Sequence, residues 1–143
     1  MREEIYDYLR QYGFSKEELD FLEEKNEKIY FANISNITNN ISFLDNLNLS
    51  KKEIISLANS NPLFITTSEK RKQAFNEIYI NKLELNSIDI KNMLLINPFI
   101  YNLSPIDINV LINDLLKTYS KEELKNIILS NPKILNGIEG GIE

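Results

Sequence analysis

Four stretches of the chain share one arrangement of apolar and polar positions. They read FSKEELDFLEEKNEKIY, LSKKEIISLANSNPLFI, LNSIDIKNMLLINPFIY and YSKEELKNIILSNPKIL, and they start at Phe14, Leu49, Leu85 and Tyr119. The starts lie 35, 36 and 34 residues apart (14 to 49, 49 to 85, 85 to 119). In each stretch apolar residues stand four and seven positions after the first polar residue, a spacing that places them on one face of an α-helix. The pattern therefore predicts one helix of about three turns, repeated four times.

The start of each predicted helix carries a capping signal. A short polar residue is followed three positions later by an acid, and an apolar residue precedes the pair, which is typical of a capping box with a hydrophobic staple. The four pairs are Ser15–Glu18, Ser50–Glu53, Asn86–Asp89 and Ser120–Glu123. We therefore expect Ser15, Ser50, Asn86 and Ser120 to be N-caps.

An asparagine stands eleven positions after each predicted cap, at residues 26, 61, 97 and 131, and proline follows it in the last three copies. Proline moves the residue before it out of the α region, so each helix should stop at or before its asparagine. Proline also suits the first position of a new helical turn, with asparagine as its cap. The dipeptide thus predicts the end of one helix and the start of a short turn in a new direction.

A second helix is expected between successive copies. Ser104 and Pro105 open the clearest one, and similar apolar spacing follows Ser68 and Ser35. Two helices of this length cannot bury their own apolar faces, so neighbouring repeats must stack. The predicted fold is an all-α solenoid of about four helical-hairpin repeats in a single domain. Its expected divisions are a capping helix at 1–13, repeats at about 14–48, 49–84, 85–118 and 119–136, and a flexible tail at 137–143.

Composition narrows the possible functions. The 143 residues are enough for one domain with a real core, and they contain no cysteine and no histidine. The commonest general base, the usual transition-metal ligands and any disulfide framework are therefore missing. The sequence has no paired-carboxylate motif, phosphate-binding glycine loop or EF-hand spacing. We accordingly expect a non-catalytic protein without a cofactor, a metal or a small-molecule substrate.

The sequence also bears on location. The N-terminal stretch MREEIYDYLRQYGF has no apolar segment of signal-peptide length and is too acidic for a transit peptide. No apolar run approaches the roughly 18 residues that would span a membrane. The expectation is a soluble, cytoplasmic protein without a membrane partner.

The charge is unevenly distributed along the chain, whose formal net charge is −5. Residues 1–28 carry nine acids and five bases, a balance of −4, whereas residues 51–91 carry seven bases and five acids, a balance of +2. The densest basic run is Lys70, Arg71 and Lys72, in the first turn of a predicted helix where the helix dipole disfavours cations. These three residues are candidates for phosphate or acidic-partner contacts, although a solvated helix face is the plainer interpretation. Lys51 and Lys52 are a second candidate pair, with a structural interpretation favoured for them.

The N-terminal quarter has two further features. Six acids between residues 17 and 27 could form a negative docking surface, although such runs are usually only solvated. Seven aromatic residues also lie within the first 31 positions. Covering the end of the repeat core is their expected role, and a partner-binding patch is the alternative.

The repeat period also fits tetratricopeptide and pentatricopeptide repeats. The absence of tryptophan and the presence of only three alanines argue against the former. The combination of Leu-Ser-x-x-Glu, a short helix and Asn-Pro with two apolar residues, at Leu49–Ile65, Leu85–Tyr101 and Tyr119–Leu135, resembles the repeat of the mitochondrial transcription termination factor (mTERF) family; Phe14–Tyr30 is a degenerate fourth copy. The resemblance implies two α-helices and a 3₁₀ turn per repeat in a left-handed superhelix. It also implies a non-catalytic protein that binds nucleic acid, typically duplex DNA, in a basic groove.

Two hypotheses follow. In the first, the chain is a nucleic-acid-binding solenoid, similar to mTERF proteins, that binds duplex DNA or RNA through the 51–91 region. In the second, it is a protein-interaction adaptor, of a kind that a phage or mobile element could encode, that keeps the repeats and has lost the basic groove. The resemblance favours the first hypothesis, and the acidic charge balance favours the second.

Overall fold

The computed structural model describes residues 1–136 of the chain, and the predicted flexible tail at 137–143 lies outside these residues. Eight α-helices account for most of this range, and no strand occurs within it. The helices are α1 (Glu3–Tyr12), α2 (Lys16–Lys25), α3 (Ile34–Asn46), α4 (Lys51–Ser60), α5 (Glu69–Asn76), α6 (Ser87–Ile96), α7 (Pro105–Leu115) and α8 (Lys121–Ser130). The prediction of an all-α fold is confirmed.

All four predicted N-caps are caps in the structure. In α2, α4, α6 and α8 the cap side chain accepts from the backbone N–H three residues later, and the acid at that position accepts from the N–H of the cap. These reciprocal bonds are 2.8–3.1 Å long. Each pair satisfies two backbone donors that would otherwise lack a partner at the start of its helix.

Each of the four helices ends at the residue before its asparagine. The asparagines have nearly the same backbone conformation, with φ between −128° and −148° and ψ between 79° and 91°. Asn26 of the first copy adopts this conformation although the residue after it is Glu27 and not proline. Asparagine, and not proline, is therefore the residue that all four helix ends share.

The turns that follow differ slightly from the prediction. They are 3₁₀ helices at Glu27–Tyr30, Pro62–Thr66 and Pro132–Asn136. After Asn97, residues 98–101 form a turn in which the Asn102 N–H donates to the Phe99 carbonyl at 2.8 Å, without a continuous 3₁₀ helix. The asparagine Oδ1 accepts the N–H two residues later in the first three copies, at Lys28, Leu63 and Phe99. The first copy has this hydrogen bond but no proline, so the bond accounts for the change of chain direction better than proline does.

A second recurrent feature precedes the first three copies. The residue before the apolar staple has a positive φ at Gly13 (132°), Asn48 (66°) and Glu84 (58°). Glycine and asparagine adopt this conformation readily, whereas glutamate does so at a cost. The Glu84 carboxylate accepts a bond from Lys121 Nζ at 2.6 Å. These three residues turn the chain out of the preceding helix and place the next apolar residue in the core.

The chain packs as two compact units, Met1–Glu69 and Lys70–Glu143. In the first unit α2 packs against α4 and against the 3₁₀ turn 62–66, and α3 packs against the same turn. In the second unit α6 packs against α8 and the turn 132–136. In each unit, therefore, the first helices of successive repeats lie side by side. The boundary between the units falls inside the second predicted repeat.

The core of the second unit contains an aromatic cluster of Phe75, Tyr79 and Tyr101, all fully buried. The Phe75 and Tyr79 rings stack with centroids 5.6 Å apart, and the Tyr101 ring meets both edge-on. The Tyr79 hydroxyl donates to the Ile100 carbonyl, and the Tyr101 hydroxyl donates to Asn76 Oδ1 at 2.6 Å. Both polar atoms are thus satisfied inside the core.

Helix α5 ends at Asn76 and is followed without a break by a π-helical segment, Glu77–Lys82. The wider turn is closed by the Leu83 N–H, which donates to the Ile78 carbonyl five residues earlier at 3.0 Å. π-helical turns are rare and cost stability unless tertiary contacts support them. The buried Tyr79 lies within this segment, so the aromatic cluster supplies such contacts.

The buried tyrosines predict a loss of stability at alkaline pH. Burial raises the pKa of Tyr79 and of Tyr101 well above that of an exposed tyrosine. Both stay protonated in the folded chain, whereas the unfolded chain releases these protons above about pH 10. Their contribution is therefore complete below pH 10 and is lost as the pH rises, by about 1.4 kcal/mol per tyrosine near pH 11.

Urea unfolding at a series of alkaline pH values measures this loss. We expect the double variant Tyr79→Phe/Tyr101→Phe to be less stable than the wild type at neutral pH, because it lacks two buried hydrogen bonds. Its stability should fall much less steeply above pH 10. Parallel curves for the two proteins would show that these tyrosines do not cause the alkaline loss.

Candidate nucleic-acid interface

Lys51 and Lys52 occupy the first turn of α4, directly after the cap Ser50, and both are exposed. Positive side chains at the N-terminus of a helix interact unfavourably with the helix dipole. The carboxylate of Glu53, the acidic residue of the capping box, offsets part of this unfavourable interaction. The Lys51 Nζ lies 5.0 Å from the centroid of the Tyr12 ring in a cation–π contact. The Lys52 side chain extends into solvent and is available to a partner.

These lysines line a groove of about 610 Å³ in the first unit. The groove also contains Glu18, whose Oε2 accepts a bond from Asn59 Nδ2 at 2.6 Å. The backbone N–H of Ser15 lowers the pKa of Glu18, and Asn59 adds to this effect against the opposing effect of burial. Glu18 is therefore an ionised carboxylate beside the two lysines. It reduces the attraction of the groove for an anion.

The run Lys70, Arg71 and Lys72 lies near the start of α5, and the structure separates its three side chains. Lys70 is exposed. The Arg71 guanidinium donates to the Leu103 carbonyl at 2.6 Å and so holds the short segment that precedes α7. Lys72 is only 3% exposed.

The burial of Lys72 has a simple geometric cause. Successive residues of a helix are rotated by about 100°, so three consecutive side chains cannot share one face. Lys72 lies three residues before the buried Phe75 and is on the same side of α5. The exposed basic surface here is therefore smaller than the sequence suggested, and Lys70 is its most accessible member.

The five predicted residues belong to different compact units. Lys51 and Lys52 lie in the first unit, and Lys70, Arg71 and Lys72 lie in the second. Among these five residues, Lys51, Lys52 and Lys70 are the exposed ones. Their role in binding stays a prediction.

Sequence reasoning missed Tyr12, which lies beside one candidate, and Lys82, which lines a different groove. Tyr12 contacts Lys51, but it is 39 positions away in the chain (51 − 12) and no local pattern connects them. Lys82 ends the π-helical segment and donates to Asn109 Oδ1 at 2.7 Å. It lines a groove of about 600 Å³ with an apolar wall that includes Ile106 and Val110. The α-helical period of 3.6 residues per turn could not predict which side chains face this groove, because the wider turns of a π-helix place residues of a different spacing on one face.

Residues 1–136 contain no group of three or more acidic, histidine or cysteine side chains arranged to hold a metal ion. In the same range, no helix combines the length and the apolar character required to cross a bilayer.

Comparison with known proteins identifies one family. The family model described as mTERF matches residues 1–138 of this chain, which is nearly its whole length. No curated protein matches the chain.

Proposed function

The chain belongs to the mTERF family, and from this premise we propose that it is a non-catalytic helical-repeat protein that binds nucleic acid, as duplex DNA or RNA. The family match over residues 1–138 is the observation that carries the proposal. The first helix of each repeat is capped and ended in the same way in all four copies. Repeated helical units of this kind are commonly used by proteins for binding.

We propose two separate sets of nucleic-acid contacts, Lys51 and Lys52 in the first unit and Lys70 in the second. All three are exposed in the structure, and an exposed lysine ammonium suits a phosphate oxygen. Contacts of this kind position a protein on nucleic acid but do not distinguish between bases. The proposed binding is therefore electrostatic and only weakly dependent on sequence.

We assign Arg71 and Lys72 a different role. The guanidinium of Arg71 is engaged with the Leu103 carbonyl, and Lys72 is buried on the core side of α5. Both would have to leave these positions to contact a phosphate. In our proposal they support the fold around α5 and do not contact nucleic acid.

The acidic N-terminal part of the chain sets the direction of approach. Residues 1–28 carry nine acids and five bases. A polyanion is repelled by this surface and attracted to the 51–91 region, whose balance is +2. We propose that this asymmetry weakens contacts between nucleic acid and the acidic side chains of the N-terminal helices.

Fluorescence anisotropy with a labelled DNA duplex and a labelled single-stranded RNA tests the proposal. The triple variant Lys51→Gln/Lys52→Gln/Lys70→Gln should bind the preferred nucleic acid at least about tenfold more weakly than the wild type at low salt. The control Lys16→Gln/Lys28→Gln/Lys133→Gln removes the same charge from three other exposed lysines, and its affinity should change by less than about threefold.

The two triple variants separate the possible results. Equal losses in both would reject the assigned residues and leave only a general effect of net charge. If the wild type binds neither nucleic acid at low salt, the proposed function itself is wrong.

A further inference from the structure

The first unit exposes three large aromatic side chains close together in the sequence. Phe21 is 37% exposed, Tyr30 is 50% exposed and Phe31 is 85% exposed. Phe21 lies on α2, and the other two lie at the end of the 3₁₀ turn that follows this helix. Single exposed apolar residues are common and do not by themselves mark a binding surface, so the charged residues beside Phe21 decide its interpretation.

Phe21 shares one face of α2 with three acids. Glu17, Asp20, Phe21 and Glu24 have the spacing i, i+3, i+4 and i+7, and all four are exposed. The opposite face carries the buried Leu19 and Leu22. We call the outer four residues, Glu17, Asp20, Phe21 and Glu24, the acidic-aromatic face.

Like charges three or four residues apart destabilise a helix by a few tenths of a kcal/mol per pair. Glu17 and Asp20 form one such pair, and Asp20 and Glu24 form another. Only Glu17 gains from the helix dipole, because it lies in the first turn. Helix stability alone therefore does not account for the acids at 20 and 24.

Other acids of α2 are occupied within the protein, whereas those on this face are not. Glu18 accepts bonds from Ser15 and Asn59, and the Glu23 carboxylate pairs with the N-terminal ammonium. Among residues 1–136, no cation pairs with Glu17 or Asp20, and Glu24 reaches only Lys25, at 4.0 Å. The carboxylates around Phe21 are thus largely available to a partner.

The protein itself shows which chemistry the Phe21 ring accepts. The Lys25 Nζ lies 5.9 Å from the centroid of this ring, within the range of a cation–π contact. An arginine side chain can stack on such a ring and pair with a neighbouring carboxylate at the same time. A polyanion is excluded from this face by its charge.

We propose that the acidic-aromatic face docks an arginine- or lysine-rich segment of a partner protein. Its carboxylates pair with the cations of that segment, and the Phe21 ring packs against one of them. This second binding surface is separate from the proposed nucleic-acid contacts and does not depend on them. A protein with both surfaces joins a cationic protein to a nucleic acid.

Anisotropy of a labelled dodecapeptide of alternating glycine and arginine, added to the full chain, tests this inference. A matched peptide with citrulline in place of arginine has nearly the same shape but no charge. We expect the arginine peptide to bind, and the variant Glu17→Gln/Asp20→Asn/Glu24→Gln to weaken this binding about tenfold. Phe21→Leu keeps an apolar side chain but removes the ring, and a loss of about threefold is expected.

The control variant Glu77→Gln/Asp114→Asn/Glu122→Gln removes the same charge from three exposed acids of the second unit. Its affinity for the arginine peptide should stay within about twofold of that of the wild type. Duplex binding by the Glu17→Gln/Asp20→Asn/Glu24→Gln variant should be no weaker than wild-type binding, which separates this inference from the proposed function.

Four results would overturn the inference. These are an absence of arginine-peptide binding to the wild type, equal binding of the citrulline peptide, equal losses in the test and control acid variants, and unchanged binding in the test variant. Light scattering adds a fifth. If the wild type forms a dimer that the test variant abolishes, the face binds a second copy of this chain instead of a cationic partner.

Discussion

An Asn26→Asp variant should lose about 3–5 kcal/mol of unfolding free energy. Asn26 is fully buried and connects two successive repeats of the first unit. Its Nδ2 donates to the Pro62 carbonyl at 3.0 Å and to Thr66 Oγ1 at 2.9 Å, while its Oδ1 accepts the Lys28 N–H at 3.1 Å. Aspartate keeps the acceptor but replaces the donor with a charged oxygen that faces a carbonyl oxygen.

The same bonds recur in the second unit. Asn97 donates to the Pro132 carbonyl at 3.1 Å and to Asn136 Oδ1 at 3.0 Å, and it accepts the Phe99 N–H at 3.2 Å. We therefore expect Asn97→Asp to lose a similar amount of stability. Agreement between the two variants would show that the asparagine acts as a repeated connector.

Urea unfolding monitored by circular dichroism measures these losses. The control is Asn39→Asp, which makes the same chemical change at an exposed position of α3 and should cost less than about 0.5 kcal/mol. Lowering the pH should restore part of the stability of Asn26→Asp, because a protonated aspartate can donate again. A loss no larger than that of the control would show that the Asn26 bonds contribute nothing net.

Phe75→Ala is the second variant with a large expected effect, a loss of about 3–5 kcal/mol. The Phe75 ring is fully buried between Tyr79 and Tyr101, with centroids 5.6 Å and 6.0 Å away. Truncation removes this apolar area and leaves a cavity that two hydrogen-bonded tyrosines cannot easily fill. The π-helical segment Glu77–Lys82 loses a contact of its buried Tyr79 at the same time.

Two comparisons make this prediction specific. Phe75→Leu retains most of the volume and should cost only about 1–1.5 kcal/mol. Phe31→Ala makes the same truncation at a side chain that is 85% exposed, and we expect a change below about 0.5 kcal/mol. Similar losses for Phe75→Ala and Phe31→Ala would contradict the assignment of Phe75 to the core.

The sequence predicted those features that depend on local chemistry. Caps such as Ser15 and stops such as Asn61 act within a few residues, so their signals stand next to each other in the chain. The helix start after Ser104 was visible for the same reason, and Ser104 Oγ accepts from the Asp107 N–H at 3.3 Å. The all-α class followed from these signals and from the helical period.

Features that depend on distant contacts were not predicted. The Nδ2 of Asn26 reaches a residue 36 positions away, and nothing near Asn26 in the sequence identifies that partner. The buried Asn40 likewise donates to the Ile65 and Thr67 carbonyls at 2.8 Å and 2.9 Å. These buried asparagine side chains thus connect successive repeats.

The candidate interface was predicted less well than the fold, for a geometric reason. Lys70, Arg71 and Lys72 form a cluster in the sequence, but a helix spreads them over three directions. The position of Lys72 three residues before Phe75 was the available signal for its burial. The affinity of an exposed lysine for an anion depends on the charges that surround it in the fold. Glu18 lies in the same groove as Lys51 and Lys52 although it is far from them in the sequence, so the sequence alone did not reveal this neighbouring charge.

The dependence of duplex affinity on salt concentration tests the central claim most directly. If about three lysines neutralise phosphates, a plot of log K against log salt concentration should be linear with a slope of about −2 to −3. Replacing Lys51, Lys52 and Lys70 with glutamine should bring that slope close to zero. A wild-type protein that binds neither the duplex nor the RNA at the lowest salt concentration, or one whose affinity salt does not change, would contradict an electrostatic nucleic-acid-binding function.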